Sequence, residues 1–180
     1  MHIPLLTSRF NNETWDENTT YKMKHPEVGC IYGAPQQIAD HIALNAIVFV
    51  IEMNNQTNKI MGIGLIRNMV TTDKYYKVYT TGNYNRYVYM SKYHLERDTL
   101  EAYNSDLMKV LEYILFKGKT HLKRGSGFTS VPEKLLKSKV CQSIGTPAEI
   151  TMEIVNMFKR FYSTEMLSDE NNEENAAENK

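Results

Sequence analysis

Ala46-Ile47-Val48-Phe49-Val50-Ile51-Glu52-Met53, Asn54-Asn55-Gln56-Thr57-Asn58, Lys59-Ile60-Met61-Gly62-Ile63-Gly64-Leu65-Ile66-Arg67: this stretch decides the fold class. Two runs rich in β-branched and aromatic residues flank a cluster of asparagines. Side chains of that kind suit a pleated surface, and asparagine suits a tight reversal, so the stretch predicts a β-hairpin. Gly62 and Gly64 inside the second run predict a bulge or the close approach of another backbone or a ligand.

Working outward, Ile3 to Thr7 predicts a first strand, and the polar segment Ser8 to Lys24 predicts a long loop. Within it, Trp15 is expected to cap the core. Pro35 at the head of Gln36 to Leu44 predicts a helix with Ile38 and Ile42 on its apolar face. Tyr75 to Thr80 and Arg86 to Tyr93 predict two further strands. Leu100, Tyr103, Leu107, Val110, Leu111 and Ile114 recur at helical spacing, which predicts a helix over Thr99 to Phe116. Ser130 with Glu133, and Thr146 with Glu149, have capping-box spacing and predict two more helices, from about Pro132 to Cys141 and from Pro147 onward. The order of elements predicts an α+β protein, with a curled sheet or small barrel and packed helices. The expected organisation is one domain over residues 1–165 and an acidic, disordered tail over 166–180.

The chain of 180 residues is 42% hydrophobic and has no net charge, but the charge is unevenly placed. Lys117 to Lys139 holds seven lysines and arginines against one acid, whereas Glu165 to Lys180 holds six acids against one lysine. This pattern predicts a basic surface and an acidic tail, either of which suits a protein partner. Two cysteines, Cys30 and Cys141, make neither a zinc signature nor a disulfide framework, so reduced thiols are expected. No apolar run is long enough to span a bilayer, and Met1-His2-Ile3-Pro4-Leu5-Leu6 lacks a basic leader, so the expectation is a cytoplasmic or nuclear protein with no membrane partner.

No nucleophile elbow, Walker loop or zincin motif occurs, Asp40 and Glu52 stand isolated, and His25, His41 and His94 have no neighbours at ligand spacing. A protein without metal, cofactor or catalytic residues is therefore expected. Lys123-Arg124-Gly125-Ser126-Gly127 is a basic, glycine-rich loop. Its glycines allow backbone N–H groups to approach an anion, so Lys119, His121, Lys123, Arg124, Gly125 and Gly127 are the candidate phosphate contacts.

Several segments, taken in order, resemble the YTH domain and its EVE and ASCH relatives in the PUA-like group, over about residues 3–137. Gly29-Cys30-Ile31-Tyr32-Gly33 stands where the YTH family has Gly-Val-Trp-Ser. Met61-Gly62-Ile63-Gly64 stands at its glycine-rich strand. Tyr79 and Tyr84 keep the five-residue spacing of two wall tryptophans. Arg124-Gly125-Ser126-Gly127, followed by Val131-Pro132, stands at its arginine loop, and Leu6 to Glu13 stands where its first strand runs into nucleotide-contacting polar residues. The chain departs from the family in four ways: tyrosine replaces each wall tryptophan, Gly125 replaces an aspartate, one loop is longer, and a helix is inserted at Thr99 to Phe116.

The resemblance implies an RNA-binding protein that holds a nucleotide of single-stranded RNA, N6-methyladenosine being one candidate, in an aromatic cage of Tyr32, Tyr79 and Tyr84. It implies base-edge contacts from Ser8, Asn11, Asn12, Glu13 and Gly33. Two other functions stay open at this level. One is a non-catalytic protein-interaction factor on the same scaffold. The other is a small hydrolase of modified nucleosides or RNA, since some ASCH-like proteins are hydrolases.

Overall fold

The computed structural model describes residues 2–177, with side chains as far as Tyr162. The hairpin lies at the heart of an α+β fold. Strand β3 (Ile47–Asn54) and strand β4 (Lys59–Arg67) pair antiparallel, and β3 also pairs in parallel with β1 (Leu5–Phe10). Two strands of three residues complete this mixed sheet: β6 (His94–Glu96) beside β4, and β7 (Phe128–Ser130) beside β1. The order is β6-β4-β3-β1-β7, so the sheet is open at both ends. The expected small barrel does not form, because these edge strands pair on one side only. A second sheet holds β2 (Cys30–Ala34) and β5 (Tyr87–Ser91), paired antiparallel.

Both faces of the five-stranded sheet are covered, which explains why β3 reads as an almost unbroken apolar run. Its side chains alternate with the pleat. Phe49, Ile51 and Met53 face α3 (Ser105–Phe116) and α5 (Pro147–Ala177), where Leu111, Leu115, Ile154 and Phe158 complete one core. Val48 and Val50, with Leu6 and Ile66, face the small sheet, where Ile31, Tyr32, Val88 and Tyr89 complete another. The helix expected over Thr99 to Phe116 is two: α2 (Arg97–Tyr103) ends at Asn104, whose side chain accepts from Leu107 N–H and starts α3.

The sharp turn after β3 is made by Asn54, whose side-chain oxygen accepts from the N–H groups of Gln56 and Thr57. Register slips between Glu52 and Met53 opposite Met61, a bulge beside Gly62. The Thr146–Glu149 capping box forms in both directions at the head of α5. The Ser130–Glu133 box does not, and α4 (Glu133–Leu136) is a single turn that continues into a 3₁₀ turn at Cys141–Ser143.

Three expectations are corrected. The polar segment after Phe10 is not a loop but helix α1 (Asn12–Lys24), started by a reciprocal cap between Asn11 and Thr14. Asn18 is its one buried residue, so no apolar stripe announces it. Gln36 to Leu44 is a chain of turns: Ile38 and Ile42 are buried, but Ile38 N–H donates to the Tyr89 hydroxyl, and the carbonyls of Ile42 and Ala43 accept from Asn68. Tyr75 to Thr80 is not a strand. The Asn85 side chain accepts from Val78 and Tyr79 N–H and donates to the Tyr79 carbonyl, taking the place of a neighbouring strand.

The acidic tail at 166–180 lies beyond the described side chains. No helix among the described residues is long and apolar enough to cross a membrane.

Candidate functional site

At its end, β1 opens onto a cleft of about 220 Å³. Ser8, Arg9 and Phe10 form its floor. Asn11 and Thr14 at the start of α1 form one wall, Gly33 and Pro35 a second, and Tyr79 and Tyr84 a third. Asn55 of the hairpin turn and the Gly125-Ser126-Gly127 loop close the rim. The parallel pairing of β1 with β3 brings the hairpin turn here, and Asn55 N–H donates to the Phe10 carbonyl at 2.8 Å.

Arg9 organises the loop. Its guanidinium donates to the carbonyls of Gly125 (3.1 Å), Gly127 (2.9 Å) and Leu122 (3.4 Å), and to the Thr129 hydroxyl (2.8 Å). Gly125 and Gly127 have φ of 93° and 70°, backbone that other residues avoid, and this turns their carbonyls toward Arg9. All four acceptors are neutral, and Arg9 has no carboxylate partner among the described residues, so its charge stays uncompensated. Burial pulls its pKa down from the ordinary arginine value. A guanidinium has five N–H groups, so one is left over for a ligand. No Asp or Glu lines the cleft.

The two wall tyrosines differ in character. Tyr79 is 4% exposed, and its hydroxyl accepts from Asn18 Nδ2 at 2.9 Å. Burial pushes its phenol well above the ordinary value. Tyr84 is 37% exposed. Their centroids are 6.2 Å apart at an interplanar angle of 87°, so the rings form a corner rather than two parallel plates. Gly33 is what allows this packing: a Cβ there would lie 2.1 Å from the Tyr84 carbonyl oxygen and 3.1 Å from the Tyr79 ring.

Tyr32 is not a wall of this cleft, which corrects the three-tyrosine cage. Both faces of β2 are covered, leaving Tyr32 1% exposed, with its ring edge-on to Phe128 between the sheets. Its hydroxyl donates to Glu52 Oε1 at 2.8 Å. Of the expected base-edge contacts, Ser8, Asn11 and Gly33 reach the cleft. Asn12 and Glu13 do not, because α1 turns them outward and Asn12 bonds Gln56 and Asn54 instead. Of the phosphate candidates, Gly125 and Gly127 line the cleft, while Lys119, His121, Lys123 and Arg124 lie outside its lining.

Arg9, Phe10, Thr14, Pro35, Asn55 and Ser126 line the cleft without having been expected at the site, and Arg9 and Asn55 are the two with polar groups placed to meet a ligand. The sequence offers only a lone arginine at the end of the first strand as a signal for Arg9, since its partners lie at Leu122 to Thr129. Asn55 donates through Nδ2 to the Lys123 carbonyl at 2.8 Å, which fixes the orientation of its amide. Its Oδ1 is buried and has no donor.

Glu52 is not isolated. It is 1% exposed and faces His94 Nε2 at 3.0 and 3.1 Å, in addition to the Tyr32 hydroxyl. Burial alone would raise its carboxyl, but His94 and the Tyr32 hydroxyl hold it below the ordinary value. Gly62 and Gly64 make room for this group: a Cβ on Gly62 would lie 2.7 Å from both Glu52 and His94, and one on Gly64 would lie 2.2 Å from the Tyr32 hydroxyl. The backbone approach expected at these glycines is present at Gly62, where the same Cβ would lie 2.8 Å from the Leu95 carbonyl oxygen, and side chains crowd both positions as well. Both cysteines are buried free thiols, and Cys30 is pushed up to about 12 by burial and the nearby Glu52. Among the described residues no group of three or more His, Cys, Asp or Glu could hold a metal ion.

No protein-family model, curated protein or solved structure matches this chain.

Proposed function

We propose that this is a non-catalytic RNA-binding protein on a PUA-like, YTH-related scaffold, and that the cleft at the end of β1 holds one nucleotide of a single strand. The observation that carries the reading is the pairing of an exposed aromatic ring, Tyr84, with an uncompensated arginine, Arg9, in a cleft that no carboxylate lines. A base stacks on Tyr84 for about 1–3 kcal/mol, with Tyr79 meeting it at the corner. The charge of Arg9 favours the phosphate, and Lys123 and Arg124 directly precede the Gly125-Ser126-Gly127 loop that Arg9 holds. The cleft is smaller than the ~300–1,000 Å³ of pockets for drug-sized ligands, which suits a single base.

Base identity is read at Asn55, whose buried Oδ1 accepts from a base N–H once the adjoining loop shifts to admit it. N6-methyladenine retains such an N–H and adds apolar surface, so it is the modified base to test first. Ser8, Thr14 and Ser126 bring hydroxyls to the cleft, but its lining has no His, Lys, Asp or Glu to activate them, which supports binding over hydrolysis.

Fluorescence anisotropy with short single-stranded RNAs, methylated and unmethylated, tests the reading. Tyr84→Ala is expected to weaken binding about tenfold. Unchanged affinity, or no binding by the parent protein at low salt, rejects it.

A further inference from the structure

A second concavity, of about 550 Å³, lies on the other side of the Tyr75–Arg86 segment. Tyr75, Met69 and Leu44 line it and are exposed, Tyr75 by 67%. Two cations stand beside them. Lys74 Nζ lies 5.1 Å from the centroid of Tyr76, and the Arg86 guanidinium carbon lies 5.3 Å from that of Tyr87. No carboxylate lines the groove, and neither cation has one as a partner among the described residues. The nearest acid in the chain, Asp73, accepts the Tyr76 hydroxyl at 2.6 Å.

We infer that this groove is a second nucleic-acid subsite, which takes the nucleotides flanking the one held in the cleft; the inference rests on the function proposed above. Flat rings alternating with uncompensated cations match the bases and phosphates of a single strand, and stacking of this kind tolerates any sequence. An acidic or purely apolar protein surface would leave either the rings or the cations without a counterpart. The groove also adjoins the cleft along the chain. Tyr84 lines the cleft, whereas the next two residues, Asn85 and Arg86, line the groove. Asn85 is 3% exposed, and its three bonds to the backbone of Val78 and Tyr79 make the segment a fixed partition. A strand that leaves the stacked base over Tyr84 therefore meets Arg86 and Tyr75 next.

The test compares RNAs of about four and about twelve nucleotides on the full chain. Tyr75→Ala is expected to weaken the longer RNA about tenfold and leave the shorter one unchanged. Arg86→Ala is expected to make the slope of log affinity against log salt shallower by about 0.7 for the longer RNA alone. Equal effects on both lengths, or no effect on either, overturn the groove; in the second case the cleft stands if Tyr84→Ala still weakens binding. Self-association that Tyr75→Ala abolishes, with RNA affinity intact, assigns the groove to a protein contact instead. A parent protein that binds neither RNA overturns both readings.

Discussion

The ring of Tyr84 meets that of Tyr79 edge to face, 6.2 Å away and 87° from parallel. One ring is a surface and the other is a support. Tyr79 is locked by Asn18 and buried, so Tyr79→Ala is expected to cost about 3–5 kcal/mol of stability. Tyr84→Ala is expected to leave the melting temperature nearly unchanged and to act on RNA affinity. Thermal denaturation alongside anisotropy separates the two, and the pair of outcomes reversed would mean the walls are wrongly assigned.

Arg9→Lys keeps the charge and loses the fork. A lysine cannot reach the carbonyls of Gly125 and Gly127 and the Thr129 hydroxyl together, so the loop loosens. Amide exchange over residues 122–129 is expected to quicken, and RNA affinity to fall despite the retained cation. Unaltered exchange there would show that the loop holds itself.

On the proposed reading, Asn55 distinguishes bases by their hydrogens. RNA carrying N6-methyladenine keeps one donor for Oδ1, whereas N6,N6-dimethyladenine has none on that nitrogen. An unmet buried acceptor costs about 1–3 kcal/mol, so the dimethyl oligonucleotide is expected to bind about tenfold more weakly. Equal affinities would remove Asn55 from the reading while leaving the stacking contact in place.

Glu52 links stability to pH. Burial acts to raise its folded carboxyl, but His94, with Lys22 and the Tyr32 hydroxyl, together hold it below the ordinary value of 4.5. The stabilisation is complete above the unfolded value and is lost as pH falls through the folded one. Glu52→Gln is expected to lower stability by about 3 kcal/mol near neutral pH, because it breaks a buried pair. Melting curves from about pH 7 to about pH 3 are expected to show that deficit shrinking on the acid side. A deficit that does not change with pH would mean that packing, not charge, is what the carboxylate supplies.

The central hairpin could be read in the sequence because Ile47 to Asn54 and Lys59 to Arg67 carry their own pattern and turn chemistry. Helix α1 could not, because Trp15 and Tyr21 are its only residues packed on the core besides Asn18, too few to make a stripe, and it is started by a single cap. The same limit hid the fate of Tyr75 to Thr80: valine and tyrosine favour an extended chain, but only the fold supplies Asn85 as its partner. For the site, Tyr79, Tyr84 and the glycine loop were legible as types at a spacing. Tyr32 was not, since the chain alone does not say that β2 is covered on both faces, and its neighbour Gly33 is the residue that reaches the cleft. Arg9 escaped notice because its partners lie more than a hundred positions away, at Leu122 to Thr129.

Strand β1 lies between β3, some forty residues downstream, and β7, more than a hundred downstream. A chain emerging from the ribosome can form its hairpin early, yet it cannot complete the cleft until Thr129 has been made, because the clasp on Arg9 comes from there. Completion of the cleft is thereby postponed until residues 122–129 have emerged, and a nascent fragment that stops short of residue 122 has the hairpin but an unfinished cleft.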